Sequence, residues 1–412
     1  MTICDSKPTP LDPFAIPQAT TERFTLFLLL AFFGTIMIAR QIFDLILRHT
    51  SFQPFLPKDV IAIVVFFIVA VSISMIRHIQ LRRMWCLQPL SQFHDDLLSK
   101  AVNALIASTT NRKVAVWVGG HPLDQSAMTF TLFGRPQFML GRGLRMLVRK
   151  QPKLFETIIV HELAHVINRD IVINSMTFAA FRAVVFIFFL YFVVQIAELF
   201  AIFLSSELPQ MFYVPEPQRI AWSQIDSLAR ASALAPIFVL LVLEHRRLLR
   251  IREHYADWRT ASLIGEDGLA ALLTSPNSGD KSARYRLLAR HPSAEDRFRA
   301  LKNPSAFLRA GSFDLAFAAF MTALTAYWVG HAYPPAIRDL KDLETVLLPL
   351  IAFTIFFTAY LSMIFSGLIF RELVVCSIRT ESEYWKTWIL GGASIVLGVE
   401  LVYLFDEESN FF

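Results

Sequence analysis

The sequence predicts an α-helical integral membrane protein that carries an α+β domain interrupted by a membrane hairpin. Three observations predict it. Of its 412 residues, 55% are hydrophobic and 38 are Phe, with a positive mean hydropathy, a composition outside the range of soluble globular chains. The apolar residues gather into seven long runs, at 24–47, 59–76, 177–204, 230–245, 313–333, 345–370 and 387–405, most of them near the ~20 residues needed to cross a bilayer. Two polar segments between the runs combine strand-like alternation with helical periodicity.

The first run is too long for a signal-peptide core, lacks a small-residue cleavage site and is followed directly by a second span, so no cleavage is expected. Cys4, Cys86 and Cys376 are too few and too scattered for a disulfide framework or a cysteine metal site.

The net charge of +5 does not point to nucleic acid, because the basic residues form no single patch. Segments 77–176 and 246–312 carry thirteen Lys plus Arg each, whereas the loops 48–58 and 205–229 carry three together and the tail Asp406-Glu407-Glu408 is acidic. The positive-inside rule then places both basic segments in the cytoplasm. The expected order is a cytoplasmic tail (1–23), two transmembrane helices (24–76), a first polar part (77–176), a transmembrane hairpin (177–245), a second polar part (246–312), three closing spans (313–405) and an acidic tail (406–412). Both polar parts lie on one side and can fold together. Arg40, Asp44, Arg182, Gln195, Glu198, His331 and Glu400 fall inside runs. Most sit within about two turns of a span end, where snorkelling suffices.

Within the first polar part, 112–118 and 128–132 alternate and read as strands, with 138–140 as a third. Pro152 and the apolar positions Leu154, Ile158, Ile159, Leu163 and Val166 then predict an amphipathic helix. Residues 245–273 are helical in composition, and 275–279 is a loop.

The predicted helix carries His161-Glu162-Leu163-Ala164-His165, an HExxH pattern. Its histidines lie one turn apart on one face, as two zinc ligands must, and Glu162 can reach a metal-bound water as general base. A catalytic zinc also wants a third protein ligand and an open position. Glu253, on the second helical stretch, is the best candidate, and Asp257 four residues on shares its face and can accept the free N–H of a ligating histidine. The plainer reading makes both of them solvated charges paired with neighbours such as Arg250. Rival ligands are His254, Glu244 and Asp170, the last read as a structural partner at a helix end.

His161–His165 followed by Asn168-Arg169-Asp170, two spans, Glu253 with Ala256-Asp257, and then His291-Pro-Ser-Ala-Glu-Asp-Arg297 resembles the HtpX-type membrane metalloproteases, relatives of the CAAX prenyl endoprotease. The resemblance covers 77–301 and the two leading spans. It implies an interrupted α+β zincin-type cytoplasmic peptidase domain, one zinc ion on His161, His165 and Glu253, Glu162 as base, and Asp257 orienting a ligand. It also implies that His291 hydrogen-bonds the substrate carbonyl or oxyanion, and that Arg297 ties its segment to a carboxylate. The expected partners are protein or peptide substrates and the lipid bilayer, with self-association open and nucleic acid not expected. Two departures stand out. Where relatives carry an Asn-Ala-Phe-like edge strand this chain has Ser126-Ala127-Met128-Thr129, and three spans follow the domain. The expected activity is hydrolysis of peptide bonds in membrane or misfolded proteins. Rival expectations are a signalling receptor whose zinc domain cuts a regulator and a prenyl-protein processing endoprotease.

Overall fold

The computed structural model describes residues 13–14, 19–49, 58–132, 134–207, 217–273, 291–304 and a few positions from 314 to 321. The chain divides into two units, 23–301 on the one hand and 1–22 with 302–412 on the other. All of the architecture below concerns the first, apart from the opening turn of α1 and the last residue of α9.

Helices α1 (Ala19–His49) and α2 (Lys58–Met84) come first. A two-residue strand β1 (Gln88–Pro89), a 3₁₀ turn and α3 (Asp96–Thr109) follow. Asp95 starts α3 by accepting a hydrogen bond from the Leu98 amide at 3.1 Å, which satisfies one of the helix's orphan N–H groups. Strands β2 (Ala115–Gly119), β3 (Ala127–Leu132) and β4 (Arg135–Gly141) complete a sheet of order β1-β2-β4-β3, with β2 and β4 parallel and β3 antiparallel to β4. The tight β3–β4 connection works because Gly134 takes a positive φ of 77°. Strand β3 is an edge.

After α4 (Leu144–Lys150), the expected amphipathic helix is α5 (Pro152–Ile167). Pro152 opens it where a missing N–H costs nothing. Its inner face contributes Phe155, Ile159, Leu163 and Val166 to a core shared with Leu98 and Val102 of α3, Val118 of β2, and Phe138 and Leu140 of β4. The 3.6-residue stripe seen in the sequence is therefore the face that meets the sheet.

Arg169 adopts a left-handed φ of 61°, which ends the α5 path and lets α6 (Asp170–Glu207) begin at once. Helix α7 (Pro217–Ile264) runs 48 residues, roughly 70 Å at 1.5 Å per residue, and contains the fourth apolar run in its middle. Gly265, with φ of 84°, separates it from α8 (Glu266–Leu273). In α9 (Ala294–Lys302) the Ser293 hydroxyl accepts from the Asp296 amide at 3.1 Å, capping the helix, and donates to the Asp296 carboxylate at 2.8 Å.

Among the described residues three helices are long and apolar enough to cross a membrane, through 19–39, 61–84 and 170–197. They match the first three expected runs, but the helices outrun the runs: α6 starts seven residues before 177, and α2 continues to Met84. Side chains of the fourth run are described only in part. The expected loop 275–279 and nearly all of the last three runs lie outside the described residues.

Candidate metal centre

Two helices supply the site. α5 carries His161, Glu162 and His165, and α7 packs against it with Glu253 and Asp257. Buried Ile159 and Leu163 lock α5 to the core, and this fixes the rotation that turns both histidines towards α7. The register of α7 puts Glu253 and Asp257 on the facing side, one turn apart. Both carboxylates are buried, at 5% and 0% exposure, so the reading of them as solvated surface charges is excluded.

His161 Nε2 lies 3.6 Å from Glu253 Oε2, and His165 Nε2 lies 3.7 Å from Glu253 Oε1. One ligand atom from each of the three residues falls within 4.8 Å of the others. Among the described residues this is the one such cluster. His254, Glu244 and Asp170 are not in it.

The far nitrogen of each imidazole meets its own carboxylate. His161 Nδ1 faces Asp257 Oδ1 at 3.3 Å, and His165 Nδ1 bonds Asp170 Oδ2 at 3.0 Å. Both contacts turn the Nε2 atoms inward, and the bond to Asp170 fixes the donor nitrogen of His165. Asp170 is thus more than the helix-end partner expected from sequence: buried completely, it orients His165. The Arg169 turn swings it back beneath the helix that it follows. Asp257 is held in turn by Arg297 of α9, whose Nε donates at 2.7 Å and whose Nη2 bonds the second oxygen.

Charge explains how so many acids stay buried together. Burial opposes the negative charge of Asp257, but the Arg297 guanidinium and His161 hold its carboxyl below the usual range. Burial likewise works against Glu253, yet His161, His291, His165 and Arg252 hold it well below that range. For His161 the bonds to Asp257 and Glu253 overcome burial and push it up to about 9. His254 behaves oppositely, driven down to about 4 chiefly by burial.

Glu162 points to the sheet edge. Its Oε2 accepts from the Thr129 amide at 2.8 Å and from the Thr129 hydroxyl at 3.0 Å, so β3 and the HExxH helix are joined at this carboxylate. Among the described residues Oε1 accepts no hydrogen bond. His291 comes to the rim of the cluster: its exposed ring places Nδ1 3.3 Å from Glu253 Oε2, against a candidate ligand rather than in open space, and this contact raises its pKa.

Two contributors were not read from sequence. Thr129 was seen only as part of an edge strand. Arg252, adjacent to Glu253, donates to Glu253 Oε1 at 3.1 Å, and nothing in a basic stretch distinguishes it from its neighbours Arg246, Arg247 and Arg250.

The donor set fits a divalent cation of zinc's preferences, with two inward-facing imidazole nitrogens, one buried carboxylate and a carboxylate behind each histidine. No curated protein matches the chain, and no solved structure does. Residues 127–305 do match a family model, that of Peptidase family M48. The match begins at the edge strand that touches Glu162 and runs past the helix that holds Asp257, so both halves of the site fall inside it. Over residues 127–305, therefore, the chain is similar to the peptidases of family M48.

Proposed function

We propose that this protein is a zinc-dependent endopeptidase of the membrane, with a zincin-type site on the cytoplasmic side, cutting membrane or misfolded proteins in quality control. The observation that carries the reading is the convergence of His161, His165 and Glu253 beside Glu162, whose second oxygen accepts no hydrogen bond among the described residues.

His161, His165 and Glu253 would hold the metal, which when bound supplies Lewis acidity to a carbonyl and makes a water acidic near neutral pH. The remaining work belongs to the chain. Thr129 fixes Oε2 of Glu162, so Oε1 is left to take the proton of the attacking water and return it to the leaving amine. Asp257 and Asp170 keep both imidazoles in one tautomer. His291, at the mouth of the cluster, can donate to the oxyanion once substrate draws it from Glu253. A substrate strand can add to the open edge of β3 through main-chain groups, which does not need the Asn-Ala-Phe side chains.

Placement favours substrates at the bilayer. The HExxH helix leads within three residues into a candidate span, and Glu253 lies eight residues beyond the fourth apolar run. The excess of Lys and Arg in both halves of the domain supports the cytoplasmic side. The test is cleavage of an unfolded test protein by the purified full chain, stripped by chelation and reloaded with zinc, beside Glu162→Gln. Zinc-dependent cutting that the variant loses by about 10²–10⁴-fold while still binding metal is expected; a zinc-loaded wild type that cuts nothing would sink the proposal.

A further inference from the structure

Glu253 is held from two sides, and the two holds differ. Arg252 donates from Nη2 to Oε1 at 3.1 Å, and His291 places Nδ1 3.3 Å from Oε2. The His291 side chain is 70% exposed, so it can swing off the carboxylate into solvent. The Arg252 side chain is 11% exposed, and leaving the carboxylate would strand a buried guanidinium altogether.

No other partner engages Arg252. Its Nε and Nη1 are buried and bond nothing among the described residues, and the same holds for Oδ1 of buried Asp170. Burial opposes the charge of Arg252, but Asp170, Glu253 and Glu162, in that order, hold its pKa up. The guanidinium therefore stands in the field of three acids of the metal centre: the candidate ligand, the carboxylate behind His165 and the proposed base. An arginine that merely braced the fold would use its fork on carbonyls or on an acid outside the site. This one makes a single hydrogen bond among the described residues, and that bond goes to a candidate metal ligand.

The bond decides which oxygen a metal meets. A cation on Oε1 would sit against the positive charge which that oxygen already faces, whereas Oε2 becomes available once exposed His291 moves away. We propose that Arg252 is a positioning residue that reserves Oε1 of Glu253 and so presents the carboxylate to the metal through Oε2 alone. Carboxylates bind metals through one oxygen or through both. Held at one oxygen, Glu253 leaves a coordination position for the water that Glu162 serves; with both oxygens on the metal, that position is crowded. The inference rests on the metal centre of the proposed function and deepens it.

The test loads the full chain, purified in detergent, with cobalt(II) in place of zinc, because cobalt absorbs visible light strongly with four ligands and weakly with five. The wild type should show the strong spectrum. Arg252→Met, which fills similar space without charge or donor, should lose most of that intensity as Glu253 closes on the metal with both oxygens. Arg252→Lys keeps the buried charge but offers a point donor in place of the fork, so it should lose part of the intensity. A role confined to folding would leave the spectrum of the loaded protein unmoved. Wild-type intensity in cobalt-loaded Arg252→Met overturns the assignment, and so does a weak spectrum in the wild type itself. Should Arg252→Met fail to fold, Arg252→Lys carries the test, and undiminished intensity there has the same force. If the wild type takes up no cobalt, the metal centre fails and this inference with it; uptake with an unaltered variant spectrum sinks this inference alone.

Discussion

Thr129 donates twice to one oxygen of Glu162, from its amide at 2.8 Å and from its hydroxyl at 3.0 Å. The amide bond survives any substitution, but the hydroxyl bond does not. Thr129→Val keeps the branched shape suited to a strand and removes one bond to a charged group, worth about 1.5–3 kcal/mol where it acts. Glu162 should then sample wrong orientations, and kcat should fall at least about tenfold with KM and zinc content unchanged. Thr129→Ser should restore most of the rate. A Val variant with wild-type kcat would show that the amide alone positions the base.

Each candidate ligand histidine has its own carboxylate, and the two can be tested separately. Asp170→Asn removes the charge behind His165 without disturbing Arg297, which serves Asp257. Zinc affinity, measured by competition with a chelator, should drop about 10–100-fold. Unchanged affinity would return Asp170 to the role of a helix-end partner.

Arg297 joins α9 to the buried Asp257, and its loss takes away the larger of the two positive partners that compensate this carboxylate, leaving His161. Breaking such a pair from one side costs about 3–5 kcal/mol. Arg297→Ala should therefore unfold at markedly lower denaturant than wild type. Arg297→Lys, which keeps the charge without the two-pronged geometry, should fall between them.

The parts of this architecture that were legible in the sequence are those written in local patterns. The stripe from Leu154 to Val166 and the spacing of His161 and His165 define α5 and its working face, because helix periodicity alone decides which side chains share a side. Apolar length found the three candidate spans among the described residues but not the ends of their helices. Hydropathy falls beyond the apolar runs of α2 and α6, while their backbone hydrogen bonding does not, so the helices run on to Met84 and begin at Asp170. The strand expected at 112–118 forms over Ala115–Gly119, and the two-residue β1 is too short to leave a pattern. Contacts between distant segments were the least visible. Thr129 meets Glu162 across 33 residues, and only the packing of β3 against α5 brings them together. Asp170 reads from sequence as a helix-end partner, and on an ideal helix a residue five places from His165 would lie round on another face. The left-handed Arg169 breaks that rotation.

The electrostatics of His161 predict how metal binding depends on pH. In the metal-free protein Asp257 and Glu253 push this histidine up to about 9, from an ordinary value of 6.5. A raised histidine contributes stability that is complete below its unfolded value, so this ion pair steadies the metal-free fold below about 6.5 and fades as pH climbs through 9. Zinc needs the neutral imidazole, and across the same range it must displace a proton. Its apparent affinity should therefore rise by about tenfold per pH unit, from the near-neutral range until close to 9, and then level off. Titration calorimetry in buffers of different ionisation enthalpy should count about one proton released per zinc at neutral pH from this residue. In Asp257→Asn the His161 pKa should fall, and both the proton release and the steep rise should shift to lower pH. A zinc affinity flat between pH 7 and 9 in the wild type would mean that His161 is already neutral and that Asp257 acts through orientation alone.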